Sequence, residues 1–155
     1  MVIFIASVLA AADQFIKYIV INNLKPVKSV SIIDNFLRFT YVENRGAAFG
    51  ILQDSQGLFI IMTVILLIVF IYSLFIRKLK PPLFMVASAL IIGGGLGNLI
   101  DRIYLGYVVD YIELSFFPPV FNFADICVCI GAVVLIIYLF LEQNEISNSK
   151  VNEVK

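Results

Sequence analysis

The sequence predicts an all-α integral membrane protein with four transmembrane helices and a small extracytoplasmic β-hairpin region. Of its 155 residues 61% are hydrophobic and only 14% are charged. The mean hydropathy is +1.01, far above that of an ordinary soluble domain. Apolar stretches suited to crossing a hydrocarbon core of about 30 Å lie at about residues 2–21, 57–76, 83–100 and 123–141.

These spans imply one membrane-embedded domain over residues 1–141. The remaining residues, 142–155, are polar and contain no aromatic side chain. Too little apolar surface is available there to offset the entropy of ordering the chain. We therefore expect a disordered cytoplasmic tail.

Residue types that are absent narrow the possible chemistry. The chain has no histidine, which excludes Ser-His-Asp triads, Cys-His pairs and histidine-ligated zinc or haem. Cys127 and Cys129 are two positions apart on a helical run and point about 200° apart, so they suit neither a disulfide nor a shared metal. A net charge of zero with no long basic run argues against nucleic-acid binding. Carboxylates, lysines and hydroxyls remain, and no metal or cofactor is expected.

The first span carries charges within its apolar run. Asp13 and Lys17 are four residues apart and share one helical face, where they can neutralise each other or face a polar cavity. A secretory signal peptide would have a basic leader and an uncharged apolar region. The segment is therefore expected to be a retained span.

A β-hairpin is predicted between the first two spans. Residues 29–33 and 36–42 are rich in β-branched and aromatic side chains and flank Asp34 and Asn35, which favour turns. Asn44 and Gly46 follow, and both residue types tolerate left-handed backbone. The small side chains around them would let a ligand approach closely.

The third span ends in polar residues. Gly94, Asn98 and Asp101 fall on one face of this helix, and Gly93 with Gly97 forms a G-x-x-x-G pair that permits close helix contact. Arg102 comes directly after Asp101. The pair could simply neutralise itself at the helix end, or it could belong to a functional site.

The topology brings the unusual polar residues to one membrane face. Arg77, Lys78 and Lys80 lie in a short connection without an acid, which the positive-inside rule places in the cytoplasm. Four spans then put both termini in the cytoplasm. The charged residues of the spans, with Asp110 and Asn44 in the outer connections, consequently meet at the outer face.

Two acids at that face suggest a mechanism. Asp110 and Asp125 come from different elements and could share one proton and one water, one acting as base and the other as acid. A proton-coupled transporter could also use such carboxylates, although it would place them at mid-membrane between inverted repeats, and no such repeat is visible. Transport is the alternative function.

Five sequence blocks together resemble the lipoprotein signal peptidase family, also called signal peptidase II, in the family's order and over nearly the whole chain. They are Asp13-Gln14-x-x-Lys17, Asn44-x-Gly46-x-Ala48-Phe49, Gly93-Gly94-x-x-Gly97-Asn98-x-x-Asp101-Arg102, Val108-x-Asp110-Tyr111 and Phe121-Asn122-x-Ala124-Asp125.

The resemblance implies a monomeric aspartyl endopeptidase of the bacterial cytoplasmic membrane. Such an enzyme removes the signal peptide from a prolipoprotein just before the diacylglyceryl-modified cysteine. The resemblance also implies contact with membrane lipids and a binding site for globomycin-type inhibitors. By similarity Asp110 and Asp125 are the catalytic dyad, and the supporting residues are Asp13, Lys17, Asn44, Gly46, Asn98, Arg102 and Asn122.

Overall fold

The computed structural model describes residues 1–46, 55–76 and 81–153, the side chains of residues 145–153 excepted. The helices are α1 (Val2–Asn23), α2 (Gln56–Ile76), α3 (Pro82–Tyr104) and α4 (Phe123–Glu153). The strands are β1 (Ser29–Ile33), β2 (Leu37–Asn44), β3 (Val108–Leu114) and β4 (Phe117–Phe121).

All four predicted spans are confirmed as helices long and apolar enough to cross a membrane. Helix α3 runs past the predicted end of the third span to Tyr104, and so contains Asp101 and Arg102 in its last turns. In α3, 67% of the apolar window is buried, compared with 17–28% in the other three spans. The third span is therefore the centre of the bundle.

Glycines on two faces of α3 let its neighbours approach closely. A Cβ on Gly93 would lie 2.8 Å from the Leu9 Cβ of α1, and a Cβ on Gly97 would overlap Asp13. On another face, a Cβ on Gly94 would overlap the backbone oxygen of Ala124 in α4. The predicted G-x-x-x-G contact is thus confirmed, and it packs α3 against α1.

The hairpin is also confirmed, with Asn35 at a φ of 57° in its turn. It forms half of a four-stranded antiparallel sheet in the order β1-β2-β3-β4, so the expectation of a single hairpin was incomplete. The other half, β3–β4, was not predicted, and β4 contains Pro118 and Pro119. Proline is tolerated in β4 because this is an edge strand.

The sheet lies over the end of α1. Val109 and Tyr111 of β3 pack against Val20 and Leu24 in a small apolar cluster. Because side chains alternate along a strand, Asp110 points to the opposite face of β3, where it is 2% exposed. Burial of the two apolar neighbours therefore orients the acid between them.

The C-terminal segment differs from the prediction. Helix α4 continues to Glu153, whereas residues 142–155 were expected to be disordered. Extending an existing helix adds a hydrogen bond for each residue fixed and avoids the cost of nucleation, and the segment begins with the good helix formers Glu142 and Gln143.

Candidate active site

Asn122 joins the two predicted catalytic acids. Its side-chain Nδ2 donates a hydrogen bond to Asp110 Oδ1 at 2.6 Å. Its backbone N–H donates to Asp125 Oδ2 at 3.1 Å, and its Oδ1 accepts from the Asp125 backbone N–H at 2.9 Å. The two bonds with Asp125 form a capping box at the start of α4, with aspartate in the place usual for glutamate. The local signal that begins the helix thus also places an acid beside Asp110.

The remaining oxygens of this dyad, Asp110 and Asp125, also accept hydrogen bonds from amides. Asn44 Nδ2 donates to Asp110 Oδ2 at 2.8 Å, and Asn98 Nδ2 donates to Asp125 Oδ1 at 2.8 Å. Three asparagines from different elements therefore fix the orientation of both carboxyl groups.

The surroundings of Asp110 favour its protonated form. Burial, followed by the negative charge of nearby Asp125, raises the pKa of Asp110 from its ordinary 3.8 to about 7. The hydrogen bonds from Asn44 and Asn122 oppose this rise because they stabilise the charged form. Asp110 can therefore hold a proton near neutral pH.

A buried ion cluster lies directly behind the dyad. Lys17 Nζ is 2.9 Å from Asp13 Oδ2 and 2.8 Å from Asp101 Oδ2, and it donates to Asn98 Oδ1 at 2.9 Å. We call Asp13, Lys17 and Asp101 the lysine cluster; all three are at most 2% exposed. The predicted pairing of Asp13 with Lys17 is confirmed. The alternative pairing of Asp101 with Arg102 is wrong, since the closer cation Lys17 takes that carboxylate.

Each acid of the lysine cluster also holds backbone next to one acid of the dyad. Asp13 Oδ1 accepts from the Ala124 N–H at 3.1 Å, one residue before Asp125. Asp101 Oδ2 accepts from the Val109 N–H at 3.0 Å, one residue before Asp110. The cluster consequently connects the first and third spans to both catalytic candidates.

Sequence reasoning gave Gln14 no site role and left open whether Asp101 belongs to the site. Gln14 Nε2 donates to Asp101 Oδ1 at 2.8 Å and to the Gly97 carbonyl at 3.1 Å. Both residues stand inside the sequence blocks that carried the resemblance. The available signal was their helical spacing, since Gln14 is three residues from Lys17 and Asp101 is three residues from Asn98.

Asn44 and Gly46 adopt an arrangement different from the predicted turn. Asn44 is the last residue of β2 and pairs with Val108, and this pairing keeps it extended. Neither residue has a positive φ. The Gly46 N–H donates to Asn44 Oδ1 at 3.0 Å, which leaves the Asn44 amide directed at Asp110. Ala48 and Phe49 lie outside the described residues.

A cavity of about 200 Å³ opens beside Asp125. We call it the dyad cavity, and its lining comes from α2, α3 and α4: Thr63, Leu66, Gly95, Asn98, Arg102, Asp125, Val128 and Cys129. Arg102 is held there by a bond from Nη1 to the Asn98 carbonyl at 3.3 Å and by the Phe59 ring, 5.3 Å from the guanidinium. Its Nε is buried and has no hydrogen-bond partner among the residues that the structure describes.

The arrangement suits acid–base chemistry on a carbonyl group. It offers two carboxyl groups, one of which can hold a proton near neutral pH, together with an arginine and a cavity between three of the helices. Comparison with known proteins then decides the family. A family model described as Signal peptidase (SPase) II matches residues 5–141.

The chain belongs to the signal peptidase II family.

Individual members agree with this membership. The lipoprotein signal peptidase of Caldanaerobacter subterraneus subsp. tengcongensis is 48% identical over 87% of this chain and 92% of its own. The lipoprotein signal peptidase of Clostridioides difficile is 46% identical, and the match covers 91% of this chain and 96% of that protein. A solved bacterial membrane enzyme, determined by the in meso method at 2.3 Å, has a TM-score of 0.84 at 37% identity and covers 93% of this chain and 90% of that one.

Membership in the signal peptidase II family makes the chain a multi-pass bacterial membrane protease that acts in lipoprotein processing. The transporter alternative receives no support from these relatives. The roles of individual residues remain to be argued from the site.

Proposed function

We propose that this chain is an aspartyl endopeptidase that removes the signal peptide from diacylglyceryl-modified prolipoproteins, cutting just before the lipidated cysteine. Asp110 and Asp125 are the catalytic dyad. The observation that carries the proposal is the bridge through Asn122, which bonds to Asp110 through its side chain and to Asp125 through its backbone. It places a carboxyl group able to hold a proton beside a second carboxylate.

The dyad performs hydrolysis with a balanced transfer of protons. Asp125, ionised, takes a proton from a water whose oxygen attacks the scissile carbonyl carbon, while Asp110 gives its proton to the carbonyl oxygen. The resulting tetrahedral diol collapses as the C–N bond breaks, and Asp125 returns its proton to the leaving amine. Asp110 recovers a proton from the diol, so the dyad ends in its starting state.

The surrounding residues orient the reactants. Asn98 and Asn44 hold the two carboxyl groups, and Arg102, which lines the dyad cavity, supplies its positive charge to the substrate backbone or the developing oxyanion. Gly46 orients Asn44 through its N–H. Asp13 and Lys17 act as positioning residues because they contact the dyad only through other groups.

The location we propose is the cytoplasmic membrane, with the site at the outer face and both termini in the cytoplasm. The C-terminal ends of α1 and α3, the start of α4 and the sheet all meet at the site, so the site lies at one end of the bundle. Arg77, Lys78 and Lys80, which predict the orientation, lie outside the described residues. A cysteine probe beside Lys78 should react only from the cytoplasm and one at Ser31 only from outside; the reverse pattern would contradict this orientation.

Partners follow from the same proposal. The substrate is a diacylglyceryl-prolipoprotein, membrane lipids surround the spans, and globomycin-type inhibitors compete at the site. The enzyme works as a monomer without metal or cofactor.

Purified protein in detergent provides the test. With a chelator present, it should cleave a diacylglyceryl-modified precursor at the bond before the modified cysteine, and globomycin should block the cleavage. Mass spectrometry of the products locates the cut. An intact precursor, or an absolute requirement for added metal, would contradict the proposal.

A further inference from the structure

A second cavity, of about 360 Å³, lies between the end of α1 and the sheet. We call it the sheet cavity. Its lining residues on α1 recur at spacings of three and four, which places them on one face of that helix, and β1, β2 and β3 supply the opposite wall. The lining is apolar or aromatic except for Asn23, and it consists of Ile16, Ile19, Val20, Asn23, Leu24, Val30, Ile32, Phe39 and Tyr111.

The sheet cavity is separate from the dyad. Tyr111 and Asp110 are adjacent in β3 and therefore point to opposite faces of the strand. The sheet cavity shares no lining residue with the dyad cavity, which lies among α2, α3 and α4. Because β3 is hydrogen-bonded on both sides, to β2 and β4, an acyl chain bound beside the dyad has no direct path through the sheet. The sheet cavity is therefore not an extension of the substrate site.

The walls of the sheet cavity continue into the membrane-facing surface. Ile19, Val30 and Ile32 line the cavity, and they are 43%, 50% and 44% exposed in the order Ile19, Ile32 and Val30. On α1, Phe15 and Tyr18 next to this wall are also exposed, as expected for the lipid-facing side of a membrane span. The volume is that of a small-molecule site, so it can hold part of one acyl chain but not a whole lipid.

A cation stands at the outward end of the sheet cavity. The Lys28 N–H donates to the carbonyl of Leu24, a lining residue, at 2.8 Å, and Lys28 is two positions before Val30. Its side chain is exposed and forms no ion pair within the part of the chain that the structure describes, whereas Lys25 is paired with Glu43. A lysine beside an apolar cavity at the membrane surface complements a lipid with an anionic head.

We propose that the sheet cavity holds one acyl chain of a bilayer phospholipid, with the anionic head of that lipid next to Lys28. This lipid is a bound ligand of the protein and not its substrate, so the inference goes beyond the proposed function. The chain would lie against Tyr111, whose hydroxyl accepts a hydrogen bond from the Phe123 N–H at 3.2 Å. It would thus support the contact between β3 and the start of α4, the two elements that carry the dyad.

The test uses tryptophan fluorescence, because the chain contains no tryptophan. Phe39→Trp places a single tryptophan in the wall of the sheet cavity, and Tyr72→Trp places one on α2, where Tyr72 is exposed. The probe is phosphatidylglycerol with brominated acyl chains, added to each protein in detergent, since bromine quenches tryptophan on contact. Quenching of Phe39→Trp should saturate with a single bound lipid. Quenching of Tyr72→Trp should rise steadily with the lipid content of the micelle.

A variant that fills the cavity makes the test specific. Val30→Phe, added to Phe39→Trp, places a ring in the cavity at a strand position that suits aromatic side chains. Each buried CH₂ contributes about fourfold to binding, so displacing two of them should weaken the saturable binding about tenfold or more. Val69→Phe on the exposed surface of α2 is the matched control and should have no effect. If Val30→Phe fails to fold, Ile19→Phe narrows the same cavity from α1.

The head of the lipid is tested through Lys28. Lys28→Gln should weaken binding of the brominated phosphatidylglycerol about fivefold and should leave binding of brominated phosphatidylcholine unchanged. Native mass spectrometry adds a readout without a reporter. One phospholipid should stay bound to the wild-type protein and should be lost from Val30→Phe.

Three results would overturn the inference. One is quenching of Phe39→Trp that never saturates, and another is an equal effect of Val30→Phe and Val69→Phe. The third is displacement of the brominated lipid by an excess of diacylglyceryl-modified precursor, which would show that the cavity receives the acyl chains of the substrate. None of these measurements depends on cleavage, so a failure of the proposed function is distinguishable from a failure of this inference.

Discussion

At the scale of single residues, asparagine side-chain amides orient the two acids of the site by hydrogen bonds. Asn44, Asn98 and Asn122 each donate to an oxygen of the dyad. An amide can donate without adding charge, so it orients a carboxylate while leaving its proton exchange possible. This explains why asparagines rather than cations lie directly against both acids.

The pH dependence of activity should report on one of these amides. The Asn44 hydrogen bond lowers the pKa of Asp110, opposing the burial that raises it to about 7. Because Asp110 must be protonated to act as the acid, turnover should fall as pH rises through this pKa. Asn44→Ala removes the opposing bond, so the fall should move to higher pH while maximal turnover decreases.

The pH–rate profile of kcat/KM measures this shift. Asn22→Ala is the control, because the exposed Asn22 side chain bonds to the Tyr18 carbonyl of its own helix, and its profile should match the wild type. A fall at unchanged or lower pH in Asn44→Ala would argue against Asp110 as the acid.

Stability should depend strongly on Lys17. Lys17→Met leaves Asp13 and Asp101 buried without their cation, and breaking a buried pair in this way typically costs about 3–5 kcal/mol. Lys17→Met combined with Asp101→Asn removes one of the two orphaned charges and should recover part of that loss. Unfolding by heat or denaturant in detergent measures both variants.

The exposed pair of Lys25 and Glu43, 3.1 Å apart, provides the control. Lys25→Met should change stability little, since solvent already screens that pair. Equal losses of stability in Lys17→Met and Lys25→Met would show that the lysine cluster stabilises the fold no more than an exposed ion pair does.

Much at this scale could be predicted from the sequence. The Asp13–Lys17 pair followed from charged residues in an apolar span, where each charge requires a partner or a role. The partner of Asp101 could not be predicted, because Lys17 is 84 positions away and depends on how α1 packs against α3.

At the scale of elements, α3 organises the bundle through its glycines. Gly93 and Gly97 admit α1, whereas Gly94 admits α4. Close approach on both faces lets Asn98 reach Lys17 and Asp125 with one side chain. The glycines of α3 therefore determine both how the helices pack and how the site residues come together.

Gly94→Ala should separate α3 from α4. The new methyl group would overlap the Ala124 carbonyl oxygen, which belongs to backbone and cannot rotate away. Overpacking of this kind costs about 1–3 kcal/mol, and a displacement of α4 would also move Asp125 from the dyad. We expect lower stability together with a large loss of turnover.

Thermal unfolding and precursor cleavage test this prediction, with Gly57→Ala as the matched glycine control. Wild-type stability and turnover in Gly94→Ala would contradict the packing role.

The sequence revealed close contact on the Gly93–Gly97 face through its spacing. It did not reveal β4, since the prolines that an edge strand tolerates are also typical of a loop.

At the scale of the whole molecule, the site lies where the bundle meets the sheet. Asp125 begins a span and Asp110 lies just outside it, so the scissile bond has to be presented at the membrane boundary. An unmodified precursor has only its signal helix in the bilayer, and nothing holds the residue after the cut at this depth. Two acyl chains would do so, since each buried CH₂ contributes about 0.8 kcal/mol.

Lipidation should therefore control the rate. We expect the diacylglyceryl precursor to be cleaved much faster than the same precursor with an unmodified cysteine, when both are presented in bilayers of one composition. Anchoring at the right depth converts binding into the orientation that catalysis needs. Equal rates would show that depth does not select the substrate, even with a correct dyad.

The most direct measurement is cleavage of the lipidated precursor by purified Asp110→Asn and Asp125→Asn proteins. Loss of one member of a general acid–base pair typically costs about 100-fold or more, and a dyad that shares one water should lose still more. Each variant should retain wild-type helix content and should show no turnover above background. Wild-type-like cleavage by either folded variant would contradict the assignment of the dyad.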